Sequence, residues 1–230
     1  MSPSLISAYV WLSLLEFDLA EYRDAAASLT QLEEAIDRND QSRRLFNDII
    51  RDARGELPDR KTLMARRHYY LACQFREEGD WSKQREHLQA AIEKDGTDAD
   101  VMIAIYRLHG ADDAWRADVR QRILRLSKVF QKSIEEDPED SITYNQWAWL
   151  ISNTEGDFDQ SLRYSKKSLE LVPDEPGYLD TLGRCYYAKG DLASAVKYQR
   201  RAVELEPHMQ VMRRQLELFE STLAASQTKD

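Results

Sequence analysis

The stretch Gly177–Pro207 reads GYLDTLGRCYYAKGDLASAVKYQRRAVELEP and contains two short helical patterns separated by Lys-Gly-Asp. Bulky and small residues recur at helical spacing on one face of each pattern. Gly183 has no side chain, so a neighbouring helix can approach its backbone closely. Gly190 can take the left-handed conformation that ends a helix, and Asp191 can cap the next helix. The stretch therefore predicts a hairpin of two helices.

One such hairpin cannot bury its apolar face alone, so the pattern predicts similar neighbours in the chain. A second copy runs from Ala65 to Asp98, with its turn at Glu78-Gly79-Asp80-Trp81. A third begins at Ser141, with its turn at Glu155-Gly156-Asp157-Phe158. We therefore expect helical hairpins that stack side by side.

The opening stretch resembles a tetratricopeptide (TPR) repeat, whose pattern is W-x2-L-G-x2-Y, then A-x3-F, then P, in about 34 residues. Leu179 stands in the Trp position, and Gln199 departs from the Phe, although Tyr198 beside it can supply a ring. The positions that match directly are Leu182, Gly183, Tyr186, Ala195 and Pro207. The resemblance implies an all-α fold, namely a right-handed α-solenoid of about five helix pairs with a C-terminal capping helix. It also implies that the first helices line a concave groove.

The same pattern divides the chain into five parts. We expect a divergent helix pair at 1–60, a repeat at 61–98, a divergent repeat with a long second helix at 99–140, two well-matched repeats at 141–209, and a capping helix with a tail at 210–230. The second helix carries few breakers, so it is either long or broken near Arg38-Asn39-Asp40.

Charge and cysteine content limit the possible functions. The net charge of −9 disfavours nucleic acid as a partner, because phosphates require a basic surface. The apolar run from Leu5 to Phe17 is too short to cross a bilayer, so no membrane insertion is expected from it. Cys73 and Cys185 are far apart in sequence and are expected to be reduced, buried thiols.

No catalytic or metal-binding motif stands out. None of the four histidines is paired with another His or with Cys at the sequence spacing of a metal site, and His68 fills a packing position. Adjacent acids such as Glu77 and Glu78 point about 100° apart on a helix and cannot act as a facing pair. We therefore expect a non-catalytic protein with no cofactor and no metal.

The informative residues are those of the first helices that packing does not need. The resemblance places them towards the groove, and aromatic, Arg and Asn side chains suit the binding of a peptide. The predicted groove residues are Arg66, Tyr69, Arg76, Asn145, Trp149, Asn153, Asp180, Arg184 and Tyr187. Some members of the family clamp a C-terminal carboxylate with Lys and Asn one helical turn apart, and no pair of that kind occurs here.

The first helix is apolar on every side. Tyr9 and Leu12 are expected to face inward, with Val10, Leu14 and Phe17 towards the groove. A helix that is apolar all round is normally buried. This leaves three alternatives: repeats precede it in a longer protein, two chains meet there as a homodimer, or the groove is apolar at that end.

The favoured function is a scaffold that binds a protein or peptide segment in its concave groove. The alternative is a self-assembly module of a larger protein, joined through the first helix. An enzyme or ligand-binding protein with a pocket formed only in three dimensions is a third hypothesis, and RNA binding is disfavoured by the charge.

Overall fold

The computed structural model describes residues 3–52 and 57–227, and within these ranges every regular element is a helix. The helices are α1 Pro3–Asp18, α2 Tyr22–Asp37, α3 Asp40–Asp52, α4 Arg60–Glu78, α5 Trp81–Lys94, α6 Ala99–Tyr106, α7 Asp113–Glu136, α8 Ser141–Asn153, α9 Phe158–Leu171, α10 Pro176–Ala188, α11 Leu192–Leu205 and α12 Gln210–Gln227. The predicted all-α fold class is confirmed. The helices form two compact units, one extending to Val101 and including Leu108–Gly110, the other comprising Met102–Arg107 and the chain from Ala111 onward.

Aspartates fix where most of the paired helices begin. Each accepts a hydrogen bond from the backbone N–H three residues later, which satisfies a donor that the helix itself cannot pair. The capping residues are Asp59, Asp80, Asp112, Asp140, Asp157 and Asp191. Gly79 and Gly190 lie in the turns within two of the pairs with φ of 73° and 83°, a conformation that side chains disfavour. The sequence therefore encodes the hairpins through their turns.

The first unit is built around α1, α2 and α4. Its core contains Ile6, Val10, Leu29, Leu32 and Phe46, together with residues of α4. Of the two alternatives for the second helix, the structure shows the break: α2 ends at Asp37 and α3 starts at Asp40. The side chain of Asn39 accepts from the backbone N–H of Ser42 at 2.8 Å and so caps α3.

The inward face of α1 differs from the predicted one. Leu12 was expected inside but is 44 % exposed, whereas Val10 was expected towards the groove and is only 4 % exposed. Tyr9 packs partly against the core, as expected. Because α1 is apolar on all sides, its sequence offers no polar face that would fix its rotation.

The second unit contains the hairpin α10–α11, where Gly183 sits against α11. A Cβ atom at this position would lie 3.0 Å from Gln199 Oε1 and 3.2 Å from the carbonyl oxygen of Ala195. Gln199 itself is fully buried, and Tyr198 beside it stacks on Tyr186 with ring centroids 5.4 Å apart. The ring missing at position 199 is thus supplied by its neighbour, as the sequence suggested.

Candidate functional site

The three predicted groove residues of the first unit lie along α4. Arg76 is exposed and forms an ion pair of 3.2 Å with Glu77. Tyr69 is half-buried and packs against the core, with its ring 5.8 Å from that of Phe17. Burial raises the pKa of Tyr69 well above its ordinary value, so the phenol stays protonated. Of these residues, Tyr69 is therefore mostly committed to packing.

Arg66 borders a cavity in the first unit. The cavity has a volume of about 310 Å³ and lies between α1 and the beginning of α4. Its walls are mostly apolar and include Trp11, and the polar side chains that line it are Ser13, Arg66 and Tyr70. Trp11 is 65 % exposed. Among the lining residues, Arg66 is thus the charged group of a mostly apolar recess.

Phe17 belongs to an aromatic cluster rather than to an open groove wall. Its ring stacks on Tyr70 at 4.8 Å and lies 5.6 Å from Tyr22. Both tyrosines are buried. A charged substitution at Phe17 would therefore disrupt the core and is a poor probe of the surface.

On α8 the predicted residues differ in exposure. Asn145 and Trp149 are half-buried, while Asn153 is only 4 % exposed. Asn153 donates from Nδ2 to the carbonyl oxygen of Trp149 at 3.0 Å and accepts from Arg107 at 2.6 Å. The Oδ1 atom of Asn145 is buried and has no hydrogen-bond partner. Because buried polar atoms are normally paired, this acceptor is an unsatisfied group inside the second unit.

Asp180 of α10 is 9 % exposed and serves a buried polar network. Its Oδ1 accepts from Gln199 Nε2 at 2.5 Å and from Gln215 Nε2 at 3.0 Å. Gln199 Nε2 also donates to the carbonyl oxygen of Met212 at 3.1 Å. The network joins α10, α11 and α12, so Asp180 mainly holds the last helix in place.

Arg184 and Tyr187, also on α10, come together. The Arg184 guanidinium lies 5.1 Å from the centre of the Tyr187 ring, within cation–π range. The other side of Tyr187 contacts α12, where its ring stacks on Phe219 at 4.4 Å. We define the α8/α10 face as the half-buried residues Asn145, Trp149, Arg184 and Tyr187.

Sequence reasoning missed a histidine pair in the first unit. His68 Nδ1 and His87 Nδ1 are 3.0 Å apart, on α4 and α5. The sequence analysis compared histidine positions along the chain only at the spacing of a metal site, so it could not reveal a contact across the hairpin. Arg67 Nη2 lies 3.5 Å from His68 Nε2 and can only donate. His68 therefore carries its proton on Nδ1 and donates it to His87.

This arrangement disfavours the charged form of both rings. Burial, followed by the charge of Arg67, lowers the pKa of His68 from 6.5 to about 4. Burial also lowers the pKa of His87. A group whose pKa falls on folding stabilises the protein above its unfolded pKa, and this stability is lost as the pH drops towards the folded value.

We expect the first unit to lose stability between about pH 6.5 and pH 4, by about 1–2 kcal/mol after discounting for the half-exposed position of His68. Hydrogen exchange of α4 and α5 amides at pH 7 and pH 4.5 measures the loss. His68→Gln should flatten this dependence, whereas the same change at exposed His208 should leave it intact. Equal pH dependence in both variants would contradict the assignment.

Within residues 3–52 and 57–227, no group of three or more His, Cys, Asp or Glu side chains is placed to hold a metal ion. None of the helices in these ranges is both long enough and apolar enough to cross a bilayer. Cys73 and Cys185 are buried and unpaired in disulfides.

Comparison with known proteins locates the repeat. Residues 176–209 match the family model described as tetratricopeptide repeat. The chain is 39 % identical over 72 residues to the probable biofilm formation methyltransferase WspC of Pseudomonas putida, covering 31 % of this chain and 17 % of that protein. It is 25 % identical over 95 residues to the TPR repeat-containing protein PA4667 of Pseudomonas aeruginosa, covering 41 % and 16 %. The chain thus spans about a sixth of the length of these curated relatives.

A solved structure agrees with the fold. The TPR protein TTC0263 of Thermus thermophilus aligns over 95 % of this chain and 99 % of its own, with a TM-score of 0.50 and 18 % identity. Residues 176–209 therefore match a tetratricopeptide repeat in sequence, and the chain shares the helical-repeat fold of a solved TPR protein.

Proposed function

We propose that this chain is a non-catalytic scaffold that binds a segment of another protein on the α8/α10 face. Helical-repeat proteins use the surface formed by their stacked helices for binding, and a rigid row of side chains loses little entropy on association. The observation that carries the proposal is the composition of this face. It combines Trp149 and Tyr187 with Arg184 and with the unpaired Oδ1 of Asn145.

These side chains have the properties of binding hot spots. Trp, Tyr and Arg dominate the energetics of protein interfaces because they bring large area with few rotatable bonds. Asn145 adds a half-buried amide side chain, a polar group of the kind that anchors an extended backbone. Asn153 and Asp180 contribute indirectly, since their side chains position Arg107 and α12. In the first unit, the corresponding proposal rests on Arg66 and Arg76.

Substitution on the two sides of the second unit tests this function. We expect Trp149→Ala to weaken binding of a captured partner about 30-fold, corresponding to a hot-spot loss of about 2 kcal/mol. Arg163→Ala, on the exposed surface of α9, is the matched control and should keep full affinity. Calorimetric titration gives the dissociation constant of each variant for the partner. Equal affinities in both variants would place the partner elsewhere.

A second candidate function, self-association, is favoured by one feature of α1 and its carboxyl end. Leu5, Leu12 and Leu19 are seven residues apart, and Ala8 and Leu15 fall between them at the spacing of a heptad seam. All five are exposed, and the four leucines are between 37 % and 47 % accessible. We call this set the α1 stripe. Such a stripe is typically covered by another helix.

The occupant we propose for the α1 stripe is the same helix of a second copy. The stripe is complementary to itself, as an isologous interface requires. The only charges of α1 are Glu16 and Asp18, both near its end. An antiparallel arrangement keeps these acids apart, whereas a parallel one would bring like charges together.

Light scattering tests the self-association. We expect the wild type to show a concentration-dependent rise in mass towards twice that of the monomer, because pairing would cover four exposed leucines on each copy. Leu12→Glu should abolish the rise by placing a charge in the seam. Leu124→Glu makes the same change at a leucine of α7 that is 55 % exposed and should leave the rise unchanged. A wild type that stays monomeric would exclude this function.

A further inference from the structure

Two arginines converge at the carboxyl end of α8 in the second unit. Arg107 donates from Nε to the carbonyl oxygen of Asn153 at 3.2 Å and from Nη2 to its Oδ1 at 2.6 Å. Arg184 donates from Nε to the carbonyl oxygen of Ser152 at 3.2 Å. The two arginines thus bind neighbouring residues of α8, and they are near enough for the charge of Arg107 to act on Arg184. We call these groups the Arg107–Arg184 pair.

Most N–H donors of the Arg184 guanidinium make no hydrogen bond within residues 3–52 and 57–227. A guanidinium has five N–H donors, and within the described part of the chain Arg184 makes one hydrogen bond, from Nε. Its remaining contact is the Tyr187 ring. The nearby Asp180 favours the charged form of Arg184, and its Oδ1 accepts hydrogen bonds from Gln199 and Gln215. The Nη edge of Arg184 is therefore available to a ligand.

The electrostatics also favour an incoming anion. Burial, and after it the neighbouring charge of Arg107, lowers the pKa of the Arg184 guanidinium from 12.5 to about 10. Arg184 is half-buried and Arg107 is exposed, so the like charge of Arg107 destabilises the charged form of Arg184, and the carbonyl end of a helix compensates only in part. A carboxylate or phosphate matches the planar guanidinium fork and would neutralise both groups.

We propose that the Arg107–Arg184 pair is an oxyanion site that receives an acidic side chain of the bound protein segment. The inference rests on the proposed function and adds the chemistry of the partner, namely a carboxylate at the pair. The net charge of −9 disfavours the competing phosphates of nucleic acid. The alternative is that the two arginines only cap α8.

The test uses three probes on the full chain: inorganic phosphate, blocked tetraglutamate and blocked tetraglutamine. NMR follows the Nε–Hε signals of the arginines, while a thermal scan at constant ionic strength follows stability. We expect phosphate and tetraglutamate to shift the signals of Arg107 and Arg184 and to raise the unfolding midpoint by a few degrees. Tetraglutamine should do neither.

Matched variants keep the test decisive. Arg125→Gln removes the same charge from an exposed position of α7 and should respond like the wild type. Arg184→Gln should lose the response, with its helix content checked by circular dichroism. Arg184→Lys should regain part of it, because the charge returns without the fork. The proposal would be refuted if Arg184→Gln and Arg125→Gln showed equal NMR and thermal responses, or if the wild type showed none. The two arginines would then act only as caps of α8.

The outcomes separate this site from the function on which it rests. Binding of phosphate without tetraglutamate would overturn the assignment to an acidic side chain. A partner that loses affinity in Trp149→Ala but not in Arg184→Gln would also overturn it, while leaving the α8/α10 face intact. In the converse case, the wild type still responds to tetraglutamate, but Trp149→Ala and Arg163→Ala bind the partner with equal affinity. This result would refute binding at the α8/α10 face and would still support the anion site.

Discussion

Gly183→Ala is expected to lower the free energy of unfolding of the second unit by about 2 kcal/mol, the usual range for overpacking a tight contact. The added Cβ would meet backbone atoms of Ala195 and Gln199 at 3.2 Å, and backbone cannot move aside as a flexible side chain can. The greater helix propensity of alanine offsets this only in part, by about 1 kcal/mol. Urea unfolding, with hydrogen exchange of α10 and α11 amides, measures the change.

The matched control lies in the same helix. At Gly177, a Cβ would meet only Glu175 Oε1, at an ordinary distance of 3.7 Å. Gly177→Ala should therefore be neutral or stabilise by about 0.5 kcal/mol through the unfolded state. If the two glycines tolerate alanine equally, then α10 and α11 do not approach each other as closely as described.

Asp180→Ala is expected to cost about 3 kcal/mol, because it removes two charge-assisted hydrogen bonds worth about 1.5–3 kcal/mol each while relieving the desolvation of the carboxylate. The lost partners are Gln199 and Gln215, and Gln199 is fully buried. Since the network joins α12 to α10 and α11, we expect α12 to detach first. Faster hydrogen exchange in α12 than in α8 would show this.

Asp159→Ala serves as the control, since this aspartate is exposed and pairs with Lys189 at the surface. Exposed ion pairs contribute about 0–1 kcal/mol, so the variant should stay close to the wild type. The loss of stability in Asp180→Asn should lie between those of Asp180→Ala and Asp159→Ala, because the amide oxygen can still accept both hydrogen bonds. A loss in Asp180→Ala no larger than in Asp159→Ala would refute the structural role of the network.

The fold could be predicted because its determinants are local. Aspartate caps, turn glycines and small residues such as Gly183 and Ala195 act within one hairpin, so their spacing is visible in the sequence. The same holds for Tyr198, whose ring replaces the one missing at position 199. These features specify helix pairs that stack, whatever the surface residues are.

The rotation of α1 could not be predicted, because apolar residues occupy all its faces. Both Val10 and Leu12 fit an inward position by hydrophobicity, and only packing against α2 and α4 decides between them. The structure selects the face of Ile6 and Val10 and leaves the α1 stripe outside. The exposed heptad became visible only after that choice was known.

The candidate sites depend on residues that are distant in sequence. Arg107 lies directly after α6, in the divergent repeat at 99–140, and reaches Asn153 across 46 positions. His68 and His87 are separated by 19 positions and meet across a hairpin. Spacing along the chain carries no sign of such pairs, so the predicted set of groove residues contained Arg184 without its neighbour.

Site-specific photo-crosslinking tests the central proposal most directly. A benzoylphenylalanine at position 149, on the α8/α10 face, should crosslink a partner protein, and added tetraglutamate should compete with that crosslink. The same group at position 163, on the exposed side of α9, should give no crosslink to that partner. Crosslinking of the partner from position 163 and not from position 149 would contradict binding at the α8/α10 face.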